Sequence, residues 1–257
     1  MIRHELNILL LTGGLLAGLV ALHELGRRLR LHQLRKGGTT DSPASGVVDG
    51  AVFALLGLLI AFTFSGAASR FDDRRKLIVD EANAIGTAYL RIDLLPAAAQ
   101  PEMRETFKLY LDARLAVYEA LPDIAAAKVE LERATRLQQA IWSKALAGAA
   151  GSQPATMLLL PALNEMFDIA TTRTLASQMH PPDVIFGLLI GLALLAAVLA
   201  GYAMGGVRER SWVHVLAFAC TLAGAVYVIL DIEYPRLGLI RVDAFDQVLV
   251  DLRRGMK

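Results

Sequence analysis

The chain has 257 residues, a net charge of +1, 55% hydrophobic residues and a mean hydropathy of +0.46. This composition is too apolar for an ordinary soluble domain and is typical of a membrane protein with several spans and a modest extramembrane part. The near-neutral charge gives no basic excess that would indicate nucleic acid binding. The single Cys220 excludes an internal disulfide and a CxxC redox or metal motif, and no His pair has metal-type spacing.

Four apolar runs are long enough to cross a bilayer as helices, which takes about 20 residues. They are Leu6 to Leu22, Val47 to Ser69, Val184 to Met204 and Trp212 to Leu230. The first run is interpreted as a span and not as a signal peptide, because a basic stretch without a clean A-x-A cleavage site follows it. Residues 1–46 are therefore predicted to form the first transmembrane helix and a basic cytoplasmic loop.

The second span, residues 47–69, passes into a charged segment without a Gly or Pro break at the join. The following residues keep helical periodicity as far as Pro96. The sequence therefore predicts one long helix that leaves the bilayer and continues into water. Such a helix would be a rigid connection to an extramembrane domain of residues 70–182.

Three further helices are predicted in this domain. Pro101 suits the first turn of one helix, and Pro122 ends it. Asp123 is expected to cap the next, and the last is expected between Ala155 and Met179. No strand pattern is present. The predicted fold class is an all-α integral membrane protein with four transmembrane helices and a helical bundle inserted between spans 2 and 3.

The last part of the chain completes this plan. Residues 183–230 hold spans 3 and 4, and residues 231–257 are predicted to form a charged turn and an amphipathic helix. Asp243 is expected to cap that helix. Because its polar face mixes acidic and basic residues, we expect it to pack on the extramembrane helices and not to lie on the bilayer.

Basic residues in the short loops set the predicted orientation. Arg27, Arg28, Arg30, Arg35 and Lys36 follow span 1, and Arg208 and Arg210 lie between spans 3 and 4. Both segments lie on one side, which the positive-inside rule assigns to the cytoplasm. The cations just after span 2 oppose this assignment, although a long segment can cross regardless of its charge. We predict that both termini and residues 70–182 are extracytoplasmic.

Two stripes follow the long helix. The first, the helix seam, is small inside the predicted span and becomes rich in isoleucine beyond it. It comprises Gly50, Ala54, Gly57, Ala61, Phe64, Phe71, Ile78 and Ile85. Small residues permit close helix packing in lipid, and large apolar residues suit packing in water. Contact with other helices of the same chain is favoured somewhat over self-assembly, in which this helix would lie near the axis of an oligomer.

The second stripe, the polar stripe, lies in the extramembrane half of the same helix. It comprises Lys76, Asp80, Asn83, Thr87 and Arg91. A solvated face is the ordinary interpretation of such a stripe. Asn and Thr are poor helix formers in a helix interior, and their presence here indicates a buried hydrogen-bond network or a wet pore as the alternative.

A charged cluster follows span 4. It comprises Asp231, Glu233, Arg236, Arg241 and Asp243. A salt network that fixes the tail is the favoured interpretation. The alternative is a site for an ion or a phosphate-bearing ligand, since Arg binds oxyanions in a bidentate manner. No nucleophile, phosphate-loop or metalloprotease motif is present, so no catalytic residue, metal or cofactor is predicted.

Several segments together resemble a known family. They are FSGAASRFDDRR, VDEANAIGTAYLRIDLLP, ALNEMFD, GYAMG and VYVILDIEYPRLGLIRVDAFD. They resemble the bacterial bestrophin-like family of four-span membrane proteins, from Val47 to about Leu252. Membership implies a protein of the bacterial inner membrane. The family's name implies a link to bestrophins, which are oligomeric anion channels whose second span lines the pore.

Three functions are consistent with these features. The first is a homo-oligomeric ion channel, for anions by the resemblance, with span 2 near the axis. The second is a non-conducting envelope sensor or scaffold that binds a partner through its extramembrane helices. The third and weakest is a membrane enzyme that acts on a lipid head group through the charged cluster. The expected partners are membrane lipid, ions and further copies of the chain.

Overall fold

The computed structural model describes residues 2–37, 43–206, 211–236 and 238–257. Regular structure in these residues is entirely helical, which confirms that the fold class is all-α. The helices are α1 (Ile2–Arg35), α2 (Pro43–Leu90), α3 (Gln100–Glu119), α4 (Ile124–Ala149), α5 (Gln153–Ala176), α6 (Asp183–Met204), α7 (Trp212–Glu233) and α8 (Asp243–Gly255). A 3-10 turn, Arg91–Leu94, follows α2.

Four of these helices contain segments long and apolar enough to cross a membrane. The segments are Ile8–Arg35, Gly46–Leu94, Asp183–Met204 and Trp212–Glu233. They correspond to the four predicted spans, and the second includes the charged continuation of α2. The chain is therefore an integral membrane protein with four candidate spans.

The basic segment after the first span is helical, and the predicted loop is wrong as far as Arg35. Arg27 and Arg28 donate through Nε to the Glu24 carboxylate at 3.0 and 2.9 Å, which supports the helix at i,i+3 and i,i+4 spacing. No proline interrupts the segment. Gly37, with φ of +79°, adopts a left-handed conformation just after the helix ends.

The chain divides into two compact units, and the division falls inside α2. The span unit consists of Ile2–Ser69 and His180–Tyr234. The bundle unit consists of Arg70–Met179 and Pro235–Lys257. The apolar parts of α1, α2, α6 and α7 lie in the first unit, and the other helices lie in the second.

Close backbone approach holds the span unit together. α1 packs against α6 and α7. A Cβ added at Gly201 would lie 1.8 Å from the carbonyl oxygen of His23, and one added at Gly26 would lie 2.0 Å from that of Val198. Only glycine permits this approach of α1 and α6, which is the way that helices gain dispersion contacts in lipid.

Large side chains fill the bundle unit. Its core includes Ile85, Phe107, Tyr110, Leu111, Ile141 and Leu163, each fully buried. Tyr89 meets Phe107 edge to face at 5.9 Å between ring centroids. α8 packs on α3, because Leu249 is fully buried and Arg253 binds both carboxylate oxygens of Asp112 at 2.7 and 3.0 Å.

Side chains close several helix ends of the bundle unit. Asp123 Oδ1 accepts a 3.0 Å hydrogen bond from the backbone N–H of Ala126, as its predicted capping role requires. Arg74 binds at the C-terminal end of α5, where it donates to the carbonyl oxygens of Ala176 at 3.2 Å and Met179 at 2.9 Å. These carbonyls would otherwise lack partners within the helix.

Two predicted helix ends differ from the structure. Asp243 does not cap α8, whose N-cap is Val242 without a side-chain hydrogen bond. Asp243 instead accepts hydrogen bonds from Arg236 and Arg241. α5 begins at Gln153 and not at the predicted Ala155. The Ser152 side chain caps this start, and Pro154 then lies in the first turn, where proline is well accommodated.

Candidate functional site

In the span unit, the seam of α2 is exposed. The buried face of α2 carries Leu56 and Ala67, and Phe53 meets Phe218 of α7 edge to face at 6.4 Å. The seam positions Gly50, Ala54, Gly57, Ala61 and Phe64 lie on an exposed face. A Cβ at Gly50 or Gly57 would meet no atom within 4 Å. Contact within the chain therefore does not explain this half of the seam, and that favoured interpretation is wrong here.

In the bundle unit, the same seam enters the core. Phe71 is half-buried, and Ile78 and Ile85 are 1% and 0% exposed. Ile78 and Ile85 belong to the hydrophobic core of the bundle unit, and Phe71 packs against that core. Contact within the chain accounts for this half.

The polar stripe lies on the outside of the bundle unit. Lys76, Asn83 and Thr87 are exposed, and Asp80 and Arg91 are half-buried. Arg91 donates to the carbonyl oxygen of Leu158 at 2.7 Å, so this member of the stripe is held against α5. The single chain contains no buried hydrogen-bond network along this stripe in the residues that the structure describes.

The same face of α2 is exposed in the span unit. Leu58, Phe62, Ser65 and Ser69 follow one another by three or four positions, Ser69 lies seven positions before Lys76, and all four are exposed. Phe62 is 67% exposed, which is unusual for so large an apolar side chain unless lipid or another subunit covers it. We call Leu58, Phe62, Ser65 and Ser69 the apolar end of the stripe.

The sequence interpretation missed a buried ion network in the bundle unit. Glu81 is fully buried on α2. Its two carboxylate oxygens accept hydrogen bonds at 2.6 Å from Arg114 of α3 and from Arg173 of α5. Burial alone would lower the pKa of Arg114, but the Glu81 charge holds it above its ordinary value. Arg114 therefore carries a fixed positive charge in the core.

The network continues to the C-terminal segment. Arg173 donates to Asp246 of α8 at 2.6 Å, and Arg236 binds the same carboxylate at 2.8 and 3.2 Å. The ring of Tyr118 contacts both guanidinium groups, with its centroid 3.8 Å from Cζ of Arg173 and 4.6 Å from Cζ of Arg236. Alternating charges thus connect α2, α3, α5 and α8.

The predicted charged cluster is divided between the two units. In the span unit, Glu233 is fully buried and its Oε1 lies 2.9 Å from Nδ1 of His180. In the bundle unit, Arg236 and Arg241 both bind Asp243. Asp231, also buried, accepts a 3.4 Å hydrogen bond from Tyr227. The bundle-unit members therefore form a salt network of the kind that fixes a tail.

One signal in the sequence could have revealed the buried network. Arg114 continues the apolar face of α3, three residues after Leu111, four after Tyr110 and seven after Phe107. A cation on a core-facing stripe requires a buried counter-charge. Glu81 lies three residues after Ile78 of the seam and is likewise a charged residue on a core-facing stripe, here on α2. No cluster of His, Cys, Asp and Glu suited to a metal ion occurs in the described part of the chain.

Comparisons with known proteins give the family. Residues 13–244 match the family model described as Bestrophin-like domain, and the chain belongs to this family. A crystal structure of a point mutant of a bacterial bestrophin homologue from Klebsiella pneumoniae has a TM-score of 0.69 at 13% identity, covering 93% of this chain and 98% of that one.

A second structure of a bacterial bestrophin homologue from the same organism, solved by Zn-SAD phasing, has a TM-score of 0.68 at 14% identity, covering 92% of this chain and 97% of that one. At these identities the likeness concerns the fold. A comparison with curated proteins finds no match.

Proposed function

We propose that the protein is a homo-oligomeric ion channel in which α2 of each copy lies near the central axis. The family and the fold likeness support this proposal. Bestrophins, to which the sequence resemblance leads, are oligomeric anion channels whose second span lines the pore. α2 is the second span of this chain.

The observation that carries the proposal is the exposed face of α2. The apolar end and the polar stripe, each spaced by three or four residues, lie along one continuous helix, with a separation of seven positions (about two turns) between Ser69 and Lys76. Intrachain contacts leave both largely uncovered. Several copies of such a face around an axis would form a path with an aromatic constriction at Phe62, followed by hydroxyl and charged side chains.

The seam supplies the surface for a neighbouring copy. Gly50, Gly57 and Ala61 lie beside the proposed pore face, and Gly50 and Gly57 have open space around them. A helix of a second copy can approach such a surface closely and gain dispersion contacts. Homo-oligomerisation is thus the second part of the proposal.

We propose anions as the conducted ions. Lys76 places a cation on the exposed stripe, and Ser65, Ser69, Asn83 and Thr87 add hydrogen-bond donors that can solvate an anion. Asp80, half-buried on the same stripe, would weaken this preference. Rings of charged side chains are a common origin of ion selectivity in pores.

The first experiment measures the mass of the detergent-purified protein by light scattering, with the detergent mass subtracted. We expect a discrete oligomer of at least four copies, and then currents in planar bilayers. A monomer would contradict the channel. Silent bilayers across several salts and pH values would contradict conduction while leaving the oligomer in place.

Two matched substitutions test which face lines the pore. Lys76→Glu should lower the permeability ratio of chloride to potassium, because it reverses one charge of each copy in the path. Lys128→Glu makes the same charge change on an exposed part of α4 and should leave the ratio unchanged. Equal effects of the two substitutions would place the polar stripe outside the path.

A second candidate is a non-conducting envelope sensor or scaffold. Exposed apolar side chains on the bundle unit favour it, since Leu90 is 71% and Ile124 69% exposed. A partner that binds the bundle unit would cover such positions. Silent bilayers together with capture of one specific membrane partner, lost in a Leu90→Ser, Ile124→Ser variant, would support this function over the channel.

We further propose that the protein lies in the bacterial inner membrane with both termini and residues 70–182 outside the cytoplasm. In a Cys220→Ser background, a membrane-impermeant maleimide applied to intact spheroplasts should label Ala150→Cys and leave Lys36→Cys unlabelled. Both positions are exposed. The reverse labelling pattern would invert the proposed orientation.

A further inference from the structure

α1 is longer than a bilayer core requires. Its 34 residues extend about 50 Å as a helix, against about 30 Å of hydrocarbon. The apolar part begins at Ile8, and the last turns of the helix carry the basic residues. A hydrocarbon core of about 30 Å that begins at Ile8 would place this basic end at the level of the lipid headgroups on one surface of the membrane.

The basic end of α1 is fixed on α6. Arg30 is 4% exposed, its Cζ lies 5.2 Å from the ring centroid of Tyr202, and its Nη1 lies 3.4 Å from the Tyr202 hydroxyl. Gly205 leaves room for this contact, because a Cβ there would lie 2.5 Å from the Cβ of Arg30. Arg30 is thus an internal residue, and the other cations are presented on an ordered surface.

The outer face of the same turns combines apolar and cationic side chains. Leu25 and Leu29 are 45% and 50% exposed. Arg28, whose side chain is 74% exposed, lies beside them, and Arg35 and Lys36 follow on the same face about two turns later. Exposed leucines suit acyl chains, and long cationic side chains beside them extend toward phosphate groups.

The local charge is strongly positive. Residues 24–36 hold Arg27, Arg28, Arg30, Arg35 and Lys36 against the single carboxylate of Glu24, a net charge of +4 with His32 neutral. Glu24 binds Arg27 and Arg28, so Arg35 and Lys36 have no acidic neighbour within this segment of the sequence. A zwitterionic headgroup brings its own ammonium group into this field, whereas an anionic headgroup does not.

We infer that the basic end of α1 binds anionic phospholipid, with Arg28, Arg35 and Lys36 around the phosphate and Leu25 and Leu29 against the acyl chains. Each cation near an anionic surface strengthens binding by a factor of about five at moderate ionic strength. Arg35 and Lys36, which have no acidic neighbour in this segment, together therefore give a preference of roughly 25-fold for an anionic over a zwitterionic lipid. Arg28 adds less to this preference because it is paired with Glu24.

The experiment uses native mass spectrometry of the full chain released from neutral detergent that contains equal amounts of phosphatidylglycerol and phosphatidylcholine with the same acyl chains. We expect the wild type to retain phosphatidylglycerol preferentially. The triple variant Arg28→Gln, Arg35→Gln, Lys36→Gln should lose at least tenfold of this preference. Glutamine keeps the helix propensity, and all three side chains are exposed, so we expect the variant to fold.

Two controls separate this site from general electrostatics. The variant Lys128→Gln, Arg136→Gln, Arg254→Gln removes the same charge from exposed positions of the bundle unit and should keep the wild-type preference. The variant Arg28→Lys, Arg35→Lys keeps the charge and should also keep the wild-type preference for phosphatidylglycerol. Equal preference for phosphatidylglycerol in the Arg28→Gln, Arg35→Gln, Lys36→Gln variant and in either control would overturn the inference. Displacement of the bound lipid by an equal concentration of glycerol 1-phosphate would also overturn it, because the acyl contacts would then contribute nothing.

Discussion

The two halves of α2 differ in what covers the same stripe of residues. In the span unit, Gly57 and Phe64 of the seam are exposed, whereas in the bundle unit Ile78 and Ile85 are buried. The residue types of each half suit the medium around it, which is lipid for the span half and water for the bundle half. Water drives large apolar side chains into a core, while lipid offers no such drive and helices associate there through small residues.

The two units also differ in the contacts that hold their helices together. The bundle unit buries Glu81 and Arg114 as a directly paired network that joins four helices. The span unit relies on glycine contacts such as that of Gly201 with His23. The bundle unit therefore depends on satisfied charges and packed volume, whereas the span unit combines close glycine contacts with the buried Asp231 and Glu233 at the end of α7. The substitutions below probe these dependences separately.

The largest expected effect is that of Glu81→Gln. Arg114 then loses its carboxylate partner inside the core, and removal of one partner of a buried ion pair destabilises a protein by about 3–5 kcal/mol. Trp142 packs edge to face on Phe167 in the bundle unit and reports its unfolding in a Trp212→Phe background. The control Arg253→Gln breaks a half-exposed pair with Asp112, and we expect a loss of about 1 kcal/mol or less. Similar losses in the two variants would show that the network is not effectively buried.

Ile85→Ala should have the next largest effect. The side chain is fully buried, and truncation of a buried isoleucine destabilises a protein by about 2–5 kcal/mol. Phe64→Ala removes a side chain of the same seam that is 44% exposed. It should leave the Trp142 unfolding transition in place and reduce the oligomeric fraction measured by light scattering. Destabilisation of the bundle unit by Phe64→Ala would contradict the difference between the two halves.

Gly201→Ala tests the span unit. The added Cβ would meet the His23 backbone, and overpacking of this kind destabilises by about 1–3 kcal/mol. Gly187→Ala on the same helix meets nothing within 4 Å and should be neutral or stabilising, because Ala favours a helix over Gly. Trp212 fluorescence in a Trp142→Phe background is the measurement. Equal behaviour of the two variants would mean that α1 and α6 approach less closely than described.

Helical periodicity was sufficient to predict the helices. Uninterrupted periodicity across Ser69 and Arg70 predicted one long α2, and Asp123 predicted the start of α4. These features depend on local geometry and on side chains a few residues apart. The helical end of α1 was missed because clustered basic residues were interpreted as a loop, although Glu24 and Arg28 stand at a helix-supporting spacing.

Long-range pairing could not be predicted from spacing. Glu81 meets Arg173 across 92 positions, and nothing in either segment identifies the other. The cluster from Asp231 to Asp243 is contiguous in sequence but divided between two units, because Pro235 begins a separate segment of the bundle unit. The exposure of the polar stripe likewise depends on which face α5 and α8 cover, which is a property of the tertiary packing.

Asp123→Ala should have the smallest effect of this set. The Asp123 carboxylate accepts the backbone N–H of Ala126 at the start of α4, and loss of such a cap destabilises a helix by about 0.5–2 kcal/mol. The Trp142 transition should shift by less than it does in Ile85→Ala, since α4 keeps its buried face. Asp123→Asn retains an acceptor oxygen and should restore most of the loss. If Asp123→Asn is as unstable as Asp123→Ala, the negative charge at the start of α4 contributes more than the hydrogen bond itself, because only the charge differs between an asparagine cap and an aspartate cap.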